Sequence, residues 1–401
     1  MEKKGLIIAE TTYPVGSMSI RVRQVARGFI DNGLAVTVII VAPRPTKYRM
    51  ENSDDFVLFG LKPLRQENRL SGFKYLTQRI VGLAKLYTYL KSNENLRFVM
   101  MTRPNILIGT VIFFFKKRKH LKLFFDKGDE NATLIDKKII TLTDFLAKQN
   151  HRLFDKYFLP RFDSLFVVSS YLEKKYQTIY PHLTVKKCLP TLIDYDEFTK
   201  NQNYNLDSLE QDEAQVFKSI KPKVFYAGSC ERTNGLFFFL NNAAKLLIHE
   251  NIDFEIIFIF VDGNVNNVKN YCSHLGISDS VTYLKPVLPK FIPSIYKHID
   301  VLVLPEQGNI IANAGFPGKT GEYLASGKAI ISTIFSDLTD HLKHEHNAML
   351  CNIGDDETYI NNLRRLILDK DLRESLSANA IRTALEDFNY MQAVKRYIEE
   401  L

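Results

Sequence analysis

Residues 313–333 read N-A-G-F-P-G-K-T-G-E-Y-L-A-S-G-K-A-I-I-S-T, and this stretch decides the fold. An apolar strand is predicted before it, over 301–304, and a second one inside it, over 329–332. Between the strands, Pro317 suits the first position of a helix and Gly327 suits its end. The order of strand, glycine-rich loop, helix and strand is typical of a parallel α/β sheet.

The loop of this stretch has the composition of a diphosphate site. Free backbone N–H groups at a helix amino terminus bind anions, and glycines let a diphosphate approach the backbone closely. Lys319 lies in the predicted first turn, where the unfavourable interaction of a cation with the helix dipole destabilises the helix by about 0.3 to 1 kcal/mol. An anion bound next to the cation would offset this cost. Glu322 lies one turn further, where a carboxylate accepts hydrogen bonds from the hydroxyls of a ribose. The residues predicted to form this nucleotide pocket are Gly315, Phe316, Pro317, Gly318, Lys319 and Glu322.

The same stretch resembles the signature of one enzyme family. Residues 317–331 are similar to the pattern P-x-K-x-x-E-Y-L-A-x-G-K-P-[IV]-[IV] of GT-B glycosyltransferases of the family 4 type. In that family the glutamate holds the ribose of the donor, a nucleoside diphosphate sugar, and the resemblance implies this role for Glu322. The family usually pairs two glutamates separated by seven residues, and the first of them would fall at Ala314. A carboxylate that often grips the donor sugar is therefore missing, which leaves the sugar contact open.

Length and composition favour two globular domains. The chain has 401 residues, of which 45% are hydrophobic, enough for two substantial cores. No run reaches the roughly 20 apolar residues that span a bilayer. The apolar run at 5–9 is too short for a signal peptide, so the expectation is a cytoplasmic, mature chain. The resemblance implies a GT-B fold of two Rossmann-like domains that face each other across a cleft.

No metal or disulfide framework is predicted. The cysteines are single and widely spaced, at positions 188, 230, 272 and 351, which is typical of buried apolar residues. His341, His344 and His346 lie near Glu345, and these residue types are ones that bind metal ions. In the family this segment is an ordinary loop, so the expectation is that no metal and no other cofactor is bound.

The positive charge of the chain is concentrated in one segment. The net charge is +8, and residues 61–123 contain 14 lysines and arginines against two glutamates. Such a segment favours an anionic partner, namely a membrane surface, a lipid-linked phosphate or nucleic acid. No nucleic-acid recognition motif accompanies the charge, so nucleic acid is not expected. We expect residues 61–123 to contact an anionic membrane surface, with peripheral attachment to the inner face of the cytoplasmic membrane.

Two predicted helices lie in this basic segment. In the first, over 73–90, the apolar residues share one helical face; we interpret this as a core-facing helix, and a surface-seeking helix is the open alternative. The second helix, from 106 to 115, is almost wholly apolar and ends in the cationic residues 116–120. Stabilisation by the helix dipole and contact with a membrane predict the same charges there. The apolar face of the first helix contains Phe73, Leu76, Ile80, Leu83, Ala84, Tyr87 and Leu90.

The chain begins with a predicted βαβ unit, with strands over 6–10 and 36–42 and a helix over 20–32. The family has a similar first loop, in which small residues and an early arginine face the donor phosphates. The resemblance implies this role for Gly16 and Ser17, with Arg21 and Arg23 following. An ordinary βα turn with surface arginines fits the same residues equally well.

Acidic residues follow the predicted strand 121–125 at its carboxyl end, where open α/β sheets bind ligands. The sequence F-F-D-K-G-D-E resembles the acidic turn of the family that faces the acceptor. This implies that Asp126 or Asp129 orients the acceptor hydroxyl. Helix capping and solvation are the alternative roles for these two carboxylates.

The second domain is predicted to begin after a polar linker, with the boundary near residue 210. The predicted domains are 1–205, to which 388–401 cross back, and 215–387. A strand at 223–227 leads into a loop that contains Gly228, Arg232 and Asn234. In the family two cations of this loop bind the diphosphate; Arg232 fits one of them, and Asn234 replaces the other. We expect Lys319 to supply the missing charge.

The resemblance implies a reaction in which a sugar moves from a nucleoside diphosphate sugar to a hydroxyl with retention of configuration. Arg232 and Lys319 would stabilise charge on the leaving diphosphate, without a divalent metal. The expected acceptor is a lipid-linked or polysaccharide carbohydrate, as in bacterial surface polysaccharide or lipopolysaccharide assembly. Two alternatives stay open. One is a sugar-nucleotide 2-epimerase of GT-B fold, and the other is a non-catalytic, membrane-associated protein that binds nucleotide sugars.

Overall fold

A computed structural model describes most of the chain. It leaves out residues 1–3, 10–16, 41–71, 128–141, 190, 207–214, 231–232, 307 and 309. It also leaves out the side chains of residues 17–18, 40, 72–79, 142–144, 233–234, 261–262 and 310–311.

The described residues form twelve strands. In chain order they are β1 Lys4–Ala9, β2 Ala35–Ile40, β3 Leu96–Met101, β4 Lys122–Lys127, β5 Ser164–Val167, β6 Thr184–Lys187, β7 Lys223–Ser229, β8 Glu255–Asp262, β9 Val281–Leu284, β10 Val301–Leu304, β11 Ala329–Thr333 and β12 Met349–Cys351.

The helices that connect these strands range from one turn to about six turns. They are α1 Ser17–Asp31, α2 Gly72–Ser92, α3 Ile106–Lys119, α4 Leu142–Tyr157, α5 Ser170–Ile179, α6 Tyr195–Asn201, α7 Thr233–Ala244, α8 Val265–His274, α9 Ile292–Tyr296, α10 Ile310–Ala314, α11 Thr320–Ser326, α12 Leu338–His341, α13 Asp356–Leu368, α14 Lys370–Asp387, α15 Tyr390–Ala393 and α16 Lys395–Ile398.

The strands form two sheets of six, and every pairing is parallel. The first sheet has the order β2-β1-β3-β4-β5-β6, and the second has the order β12-β11-β10-β7-β8-β9. Parallel strands are buried on both faces, which explains their near-continuous apolar sequences. The predicted α/β fold class with two Rossmann-like sheets is confirmed.

The chain divides into two compact units, one around each sheet. The first unit contains residues 1–192, 314–316 and 390–401, and the second contains residues 193–313 and 317–389. This division differs from the predicted boundary near residue 210, because the segment after residue 192 packs with the second unit. The Ile193 amide donates a hydrogen bond of 2.7 Å to the Phe388 carbonyl, and Phe198 on α6 stacks on Tyr296 with ring centroids 6.4 Å apart.

Helices cover the two faces of the first sheet unequally. The chain steps from β1 to β2 in one direction and from β3 to β6 in the other, so right-handed connections place α1 on one face and α2 to α5 on the opposite face. The C-terminal helices α15 and α16 join α1 in one hydrophobic cluster, in which Val394 and Tyr397 are buried. The other cluster contains Leu86, Ile112 and Phe154 from α2, α3 and α4.

The prediction that the apolar face of the helix over 73–90 points to the core is confirmed only in part. Leu90 of the predicted face is fully buried and Leu83 packs against the core, whereas Ile80 and Tyr87 of the same face are 58% and 41% exposed. The core-facing side of α2 is rotated from the predicted one, because Leu86 belongs to it and Tyr87 does not. An apolar strip of α2 is therefore left on the surface.

Candidate functional site

The signature helix α11 begins three residues later than predicted. Pro317 is not its first residue; its carbonyl accepts hydrogen bonds from the Thr320 amide at 3.1 Å and from the Thr320 hydroxyl at 2.9 Å. These bonds close a turn over Gly318 and Lys319 that the sequence pattern did not distinguish from helix. Lys319 is the N-cap of α11, with φ −91° and ψ −8°.

The end of α11 and the strands beside it agree with the sequence. Gly327 has φ +65° and its amide returns to the Leu324 carbonyl, which is the left-handed helix end that glycine permits. The predicted strands correspond to β10 and β11, which pair directly in parallel. The helix therefore lies in a βαβ connection of the second sheet, as predicted.

Glu322 is the only residue of α11 that is not buried in the second unit. Its Oε2 atom accepts a hydrogen bond of 3.2 Å from the Tyr296 hydroxyl at the end of α9. Tyr296 is completely buried, and burial together with the nearby Glu322 carboxylate raises the pKa of its hydroxyl well above the usual value. The hydroxyl therefore stays protonated and donates to Glu322. This contact holds one carboxylate oxygen in place, and no described residue donates to Oε1.

Tyr296 is a site residue that the sequence did not indicate. It lies 26 positions before Glu322, and it ends a five-residue helix that has no recognisable motif. Its ring packs edge-on against Tyr323 and against Phe225, with centroids 5.6 and 5.8 Å apart. Only the fold of the second unit brings this hydroxyl to the signature helix.

Lys319 is half-buried, and its ammonium group has no hydrogen-bond or ion-pair partner among the described residues. It precedes the buried first turn of α11, on the side of the sheet where β10 ends. A cation in this position is available to an anionic ligand. The role of Lys319 at a diphosphate stays a prediction.

The carboxyl ends of β7 and β10 come together at the same edge of the second sheet, since the two strands pair in parallel. A Cβ atom on Gly235, in the first turn of α7, would lie 1.5 Å from the Pro305 carbonyl oxygen, so only glycine fits there. A Cβ atom on Gly228 would lie 2.7 Å from the Tyr226 hydroxyl. The loop after β7 is therefore held close to the segment after β10. Ligands bind at such edges in open α/β sheets.

Hydroxyl groups at the end of β11 reinforce this edge. The Ser332 hydroxyl donates to the Leu304 carbonyl at 3.1 Å, and the Thr333 hydroxyl donates to the Glu306 carbonyl. Both side chains are buried. These bonds fix the backbone that follows β10, next to Gly235.

The structure separates part of the predicted pocket from the rest. Residues 314–316 pack with the first unit, where the Ala314 carbonyl accepts a hydrogen bond of 3.0 Å from the Ser169 hydroxyl. Phe316 packs against the hydrophobic cluster of α2 to α5, and Gly315 lies between these two residues. Pro317, Gly318, Lys319 and Glu322 pack with the second unit.

Asp126 does not have the position that the predicted acceptor role requires. Its side chain is 2% exposed, and both carboxylate oxygens accept hydrogen bonds from Arg21, at 2.9 and 2.7 Å. Arg21 also donates to the Tyr397 hydroxyl at 2.8 Å. The expectation that Arg21 faces donor phosphates is also wrong, because its guanidinium is buried and forms an ion pair with Asp126. This ion pair joins α1, β4 and α16 inside the first unit.

Several predicted residues lie outside the described part of the chain. Gly16, Asp129 and Arg232 are not described, and the same holds for the side chains of Ser17 and Asn234. Their predicted roles stay predictions.

The histidines near residue 344 have structural partners. His341 Nδ1 is 2.6 Å from an oxygen of Asp387, and His344 Nδ1 accepts the Leu350 amide at 3.0 Å. Among the described residues, no group of three or more histidines, cysteines or carboxylates is arranged to hold a metal ion.

Comparison with known proteins identifies the domain that contains this site. Residues 207–383 match the family model described as glycosyl transferases group 1. A D-inositol 3-phosphate glycosyltransferase of Corynebacterium urealyticum is 25% identical over 181 residues, which are 43% of this chain and 41% of that protein. One from Stackebrandtia nassauensis is 28% identical over 109 residues, which are 27% of this chain and 24% of that protein. The matched part therefore spans less than half of either relative.

Solved structures are similar over nearly the whole chain. Sucrose-phosphate synthase of Thermosynechococcus elongatus has a TM-score of 0.70 at 14% identity and covers 99% of this chain and 98% of its own. Anabaena HepE, solved in complex with UDP-glucose, has a TM-score of 0.66 at 14% identity, and the match covers 99% of this chain and 100% of that chain. WaaG, a glycosyltransferase involved in lipopolysaccharide biosynthesis, has a TM-score of 0.65 at 12% identity, with 98% of both chains covered. The fold is that of the GT-B proteins, and most of the second unit lies in the stretch that matches the group 1 glycosyl transferase model.

Proposed function

We propose that this protein is a retaining glycosyltransferase that moves a sugar from a nucleoside diphosphate sugar to a carbohydrate hydroxyl. One observation carries the proposal: the group 1 glycosyltransferase match over 207–383 contains Lys319 and Glu322, next to the edge of the sheet where ligands bind. Anabaena HepE was solved with UDP-glucose, so a uridine diphosphate sugar is the first donor to test.

In this proposal the Glu322 carboxylate accepts hydrogen bonds from the donor ribose, with Tyr296 holding its other oxygen. The Lys319 ammonium lies against the diphosphate and stabilises the negative charge that develops as the bond to the sugar breaks. The sequence adds Arg232 as a second cation. Preorganised charges of this kind lower the barrier because they need no reorganisation during the reaction.

We propose that these cations replace a divalent metal. Transfer should then proceed at an unchanged rate after the enzyme is treated with EDTA and the chelator is removed by gel filtration. Activity that falls on chelation and returns with Mg²⁺ or Mn²⁺ would contradict this part of the proposal.

The proposed acceptor is a carbohydrate on a membrane-linked carrier in bacterial surface polysaccharide or lipopolysaccharide synthesis. The basic segment 61–123 supports an anionic surface as partner, and the likeness to WaaG supports this class of product. The two curated relatives are named for a phosphorylated acceptor, which also agrees with an anionic partner.

Thermal unfolding in the presence of UDP, GDP, ADP and CMP tests the donor site. A ligand at a hundredfold excess over its Kd should add about 2.7 kcal/mol to the free energy of unfolding and raise the melting temperature. We expect one nucleoside diphosphate to do so, and we expect Glu322→Ala and Lys319→Met to reduce the shift. Matched controls are Glu374→Ala and Lys370→Met, an exposed pair on α14 that should leave the shift unchanged. No shift with any nucleotide would sink the proposal.

Product analysis separates transfer from the two alternatives. The purified protein is incubated with the bound donor, with and without a carbohydrate acceptor, and the sugar is followed by NMR. Transfer gives a new glycosidic bond with the anomeric configuration of the donor. Isomerisation of the donor without acceptor would identify a 2-epimerase, and binding without any turnover would identify a non-catalytic protein.

A further inference from the structure

Helices α2, α3 and α4 form the outer layer on one face of the first sheet, and their outward sides are unusually apolar. Among the described residues, 19 large apolar side chains are exposed, and nine of them lie on these three helices. Contiguous exposed apolar surface on a folded domain marks a contact with a partner or a membrane. The nine are Ile80, Val81, Tyr87, Leu107, Phe114, Phe145, Leu146, Leu153 and Tyr157.

The exposed residues of α2 and α3 are aligned. The ring centroids of Tyr87 and Phe114 are 6.1 Å apart, and the Lys119 ammonium donates to the Lys91 carbonyl at 3.3 Å, so the two helices run side by side in the same direction. Seven residues, or two turns, before Tyr87 and Phe114 come Ile80 and Leu107, which are 58% and 53% exposed. These side chains form an apolar strip along the two helices.

Helix α4 extends the apolar strip on the other side of α3. The Asn150 side chain donates to the Pro104 carbonyl at 2.9 Å and accepts the Ile106 amide at 3.1 Å, which ties α4 to the beginning of α3. Phe158, just after α4, packs edge-on against Phe113 with centroids 5.6 Å apart. The exposed residues of α4 therefore lie on a helix that packs directly against α3.

The charges around these apolar residues are predominantly positive. Residues 80–92, 106–119 and 145–157 contain nine lysines and arginines and one acidic residue, Asp155, which pairs with Lys127 at 3.6 Å. Some cations lie on the apolar surface itself: the Arg118 guanidinium is 4.3 Å from the centroid of the Phe114 ring. The exposed members of the nine are Lys85, Lys91, Lys117, Arg118, Arg152 and Lys156.

We propose that the outer faces of α2, α3 and α4 dock onto an anionic lipid bilayer, with Ile80, Tyr87, Leu107 and Phe114 entering the interface between headgroups and acyl chains. Helices with apolar side chains flanked by cations bind in this way, and each cation near an anionic surface contributes about 1 kcal/mol. No helix in the described part of the chain is long and apolar enough to cross a membrane. The proposal deepens the membrane-linked acceptor of the proposed function and rests on it for its biological purpose.

The apolar component distinguishes this docking from attachment by charge alone. Salt at 1 M shortens the Debye length from about 10 Å to about 3 Å and removes most of the electrostatic attraction, while burial of apolar side chains persists. Binding should therefore weaken with salt without vanishing.

Flotation with lipid vesicles tests the proposal on the full chain. Vesicles of phosphatidylcholine with 30% phosphatidylglycerol are compared with pure phosphatidylcholine, each at 0.1 and 1 M NaCl. We expect binding to the anionic vesicles at both salt concentrations and at least tenfold weaker binding to the neutral ones.

Two double variants separate charge from insertion. Lys117→Gln with Arg118→Gln should weaken binding about 25-fold at 0.1 M NaCl, from a loss of about fivefold per cation. Leu107→Gln with Phe114→Gln should weaken it about tenfold or more at either salt concentration. The matched control is Ile220→Gln with Ile248→Gln, two exposed isoleucines of the second unit, which should bind as the unchanged protein does.

Three results would overturn the proposal. They are an absence of binding to anionic vesicles, equal binding by the Leu107/Phe114 variant, or a dimer in solution that this variant dissociates, since the surface would then contact a second copy. Each variant is first shown to melt at the temperature of the unchanged protein. The nucleotide-induced melting shift is measured beside flotation, so a failed docking surface is distinguished from a failed donor site.

Discussion

The Tyr296 hydroxyl orients the carboxylate of Glu322, the residue predicted to bind the donor ribose. The buried hydroxyl donates to Oε2 of the half-exposed carboxylate, and a hydrogen bond to a charged group is worth about 1.5 to 3 kcal/mol. The bond orients Glu322 before any ligand arrives. Preorganisation of this kind improves binding because less freedom is lost when the ligand binds.

We predict that Tyr296→Phe weakens binding of the nucleoside diphosphate about fivefold or more, because Glu322 loses the group that orients it. Isothermal titration calorimetry measures the change in Kd. Tyr359→Phe is the control, since this buried hydroxyl of the second unit has no hydrogen-bond partner among the described residues. Equal affinities of the two variants would show that the Tyr296 hydroxyl does not prepare the site.

The ion pair of Arg21 and Asp126 is a buried contact of two hydrogen bonds between side chains of the first unit. Asp126→Ala leaves the Arg21 guanidinium buried without its carboxylate, and we predict a loss of about 3 to 5 kcal/mol in the free energy of unfolding. The double variant Arg21→Met with Asp126→Leu should lose less, because it leaves no unpaired charge. Urea unfolding measures both. A single variant as stable as the double one would argue against this ranking.

At the scale of elements, the first turn of α7 packs so closely against the segment after β10 that position 235 has no room for a methyl group. Since a Cβ on Gly235 would overlap the Pro305 carbonyl, the loop after β7 must move if alanine replaces glycine. We predict that Gly235→Ala lowers the free energy of unfolding by about 1 to 3 kcal/mol, despite the better helix propensity of alanine, and weakens nucleotide binding. Thermal melting with and without nucleotide measures both effects.

The control for this change is Gly308→Ala. Within the described part of the chain, its Cβ would meet only the terminal Cδ1 atom of Ile353, at 2.7 Å, and that flexible side chain can turn away. A Gly235→Ala protein that is as stable as the Gly308→Ala protein, and binds nucleotide equally well, would refute the close approach of the two loops.

At the scale of the whole molecule, the last residues of the chain complete the core of the first unit. The Tyr397 ring packs against Phe166 and Phe29, with centroids 4.2 and 6.1 Å apart, and its hydroxyl accepts a hydrogen bond from Arg21. The Tyr390 hydroxyl is 2.6 Å from a carboxylate oxygen of Asp31 at the end of α1. A segment far along the sequence thus covers the face of the sheet that α1 leaves open.

We predict that a chain ending at Asn389 exposes this face and binds the dye ANS strongly, with early hydrogen exchange in β1, β4 and β5. Tyr397→Phe is the companion variant, because it keeps the ring and loses only the hydroxyl; it should lose about 1 kcal/mol and bind no extra dye. Unchanged exchange in the shortened chain would mean that the first unit does not need its C-terminal helices.

Local patterns alone determined much of this protein. Apolar runs predicted β10 and β11, Gly327 predicted the end of α11, and the alternation of strands and helices predicted two parallel sheets. These features depend on residues within a few positions of one another, where periodicity and backbone preferences act directly. The family signature placed Lys319 and Glu322 for the same reason, since it is contiguous.

Only the tertiary structure decided which side chains meet over long distances. Arg21 and Asp126 are 105 positions apart and Tyr296 and Glu322 are 26 apart, so no local pattern pairs them. The outward face of α2 was misassigned because its sequence is apolar on more than one side, and packing of Leu86 against the sheet selects the rotation. Burial and pairing across the fold settle such choices, because their free energies exceed local preferences.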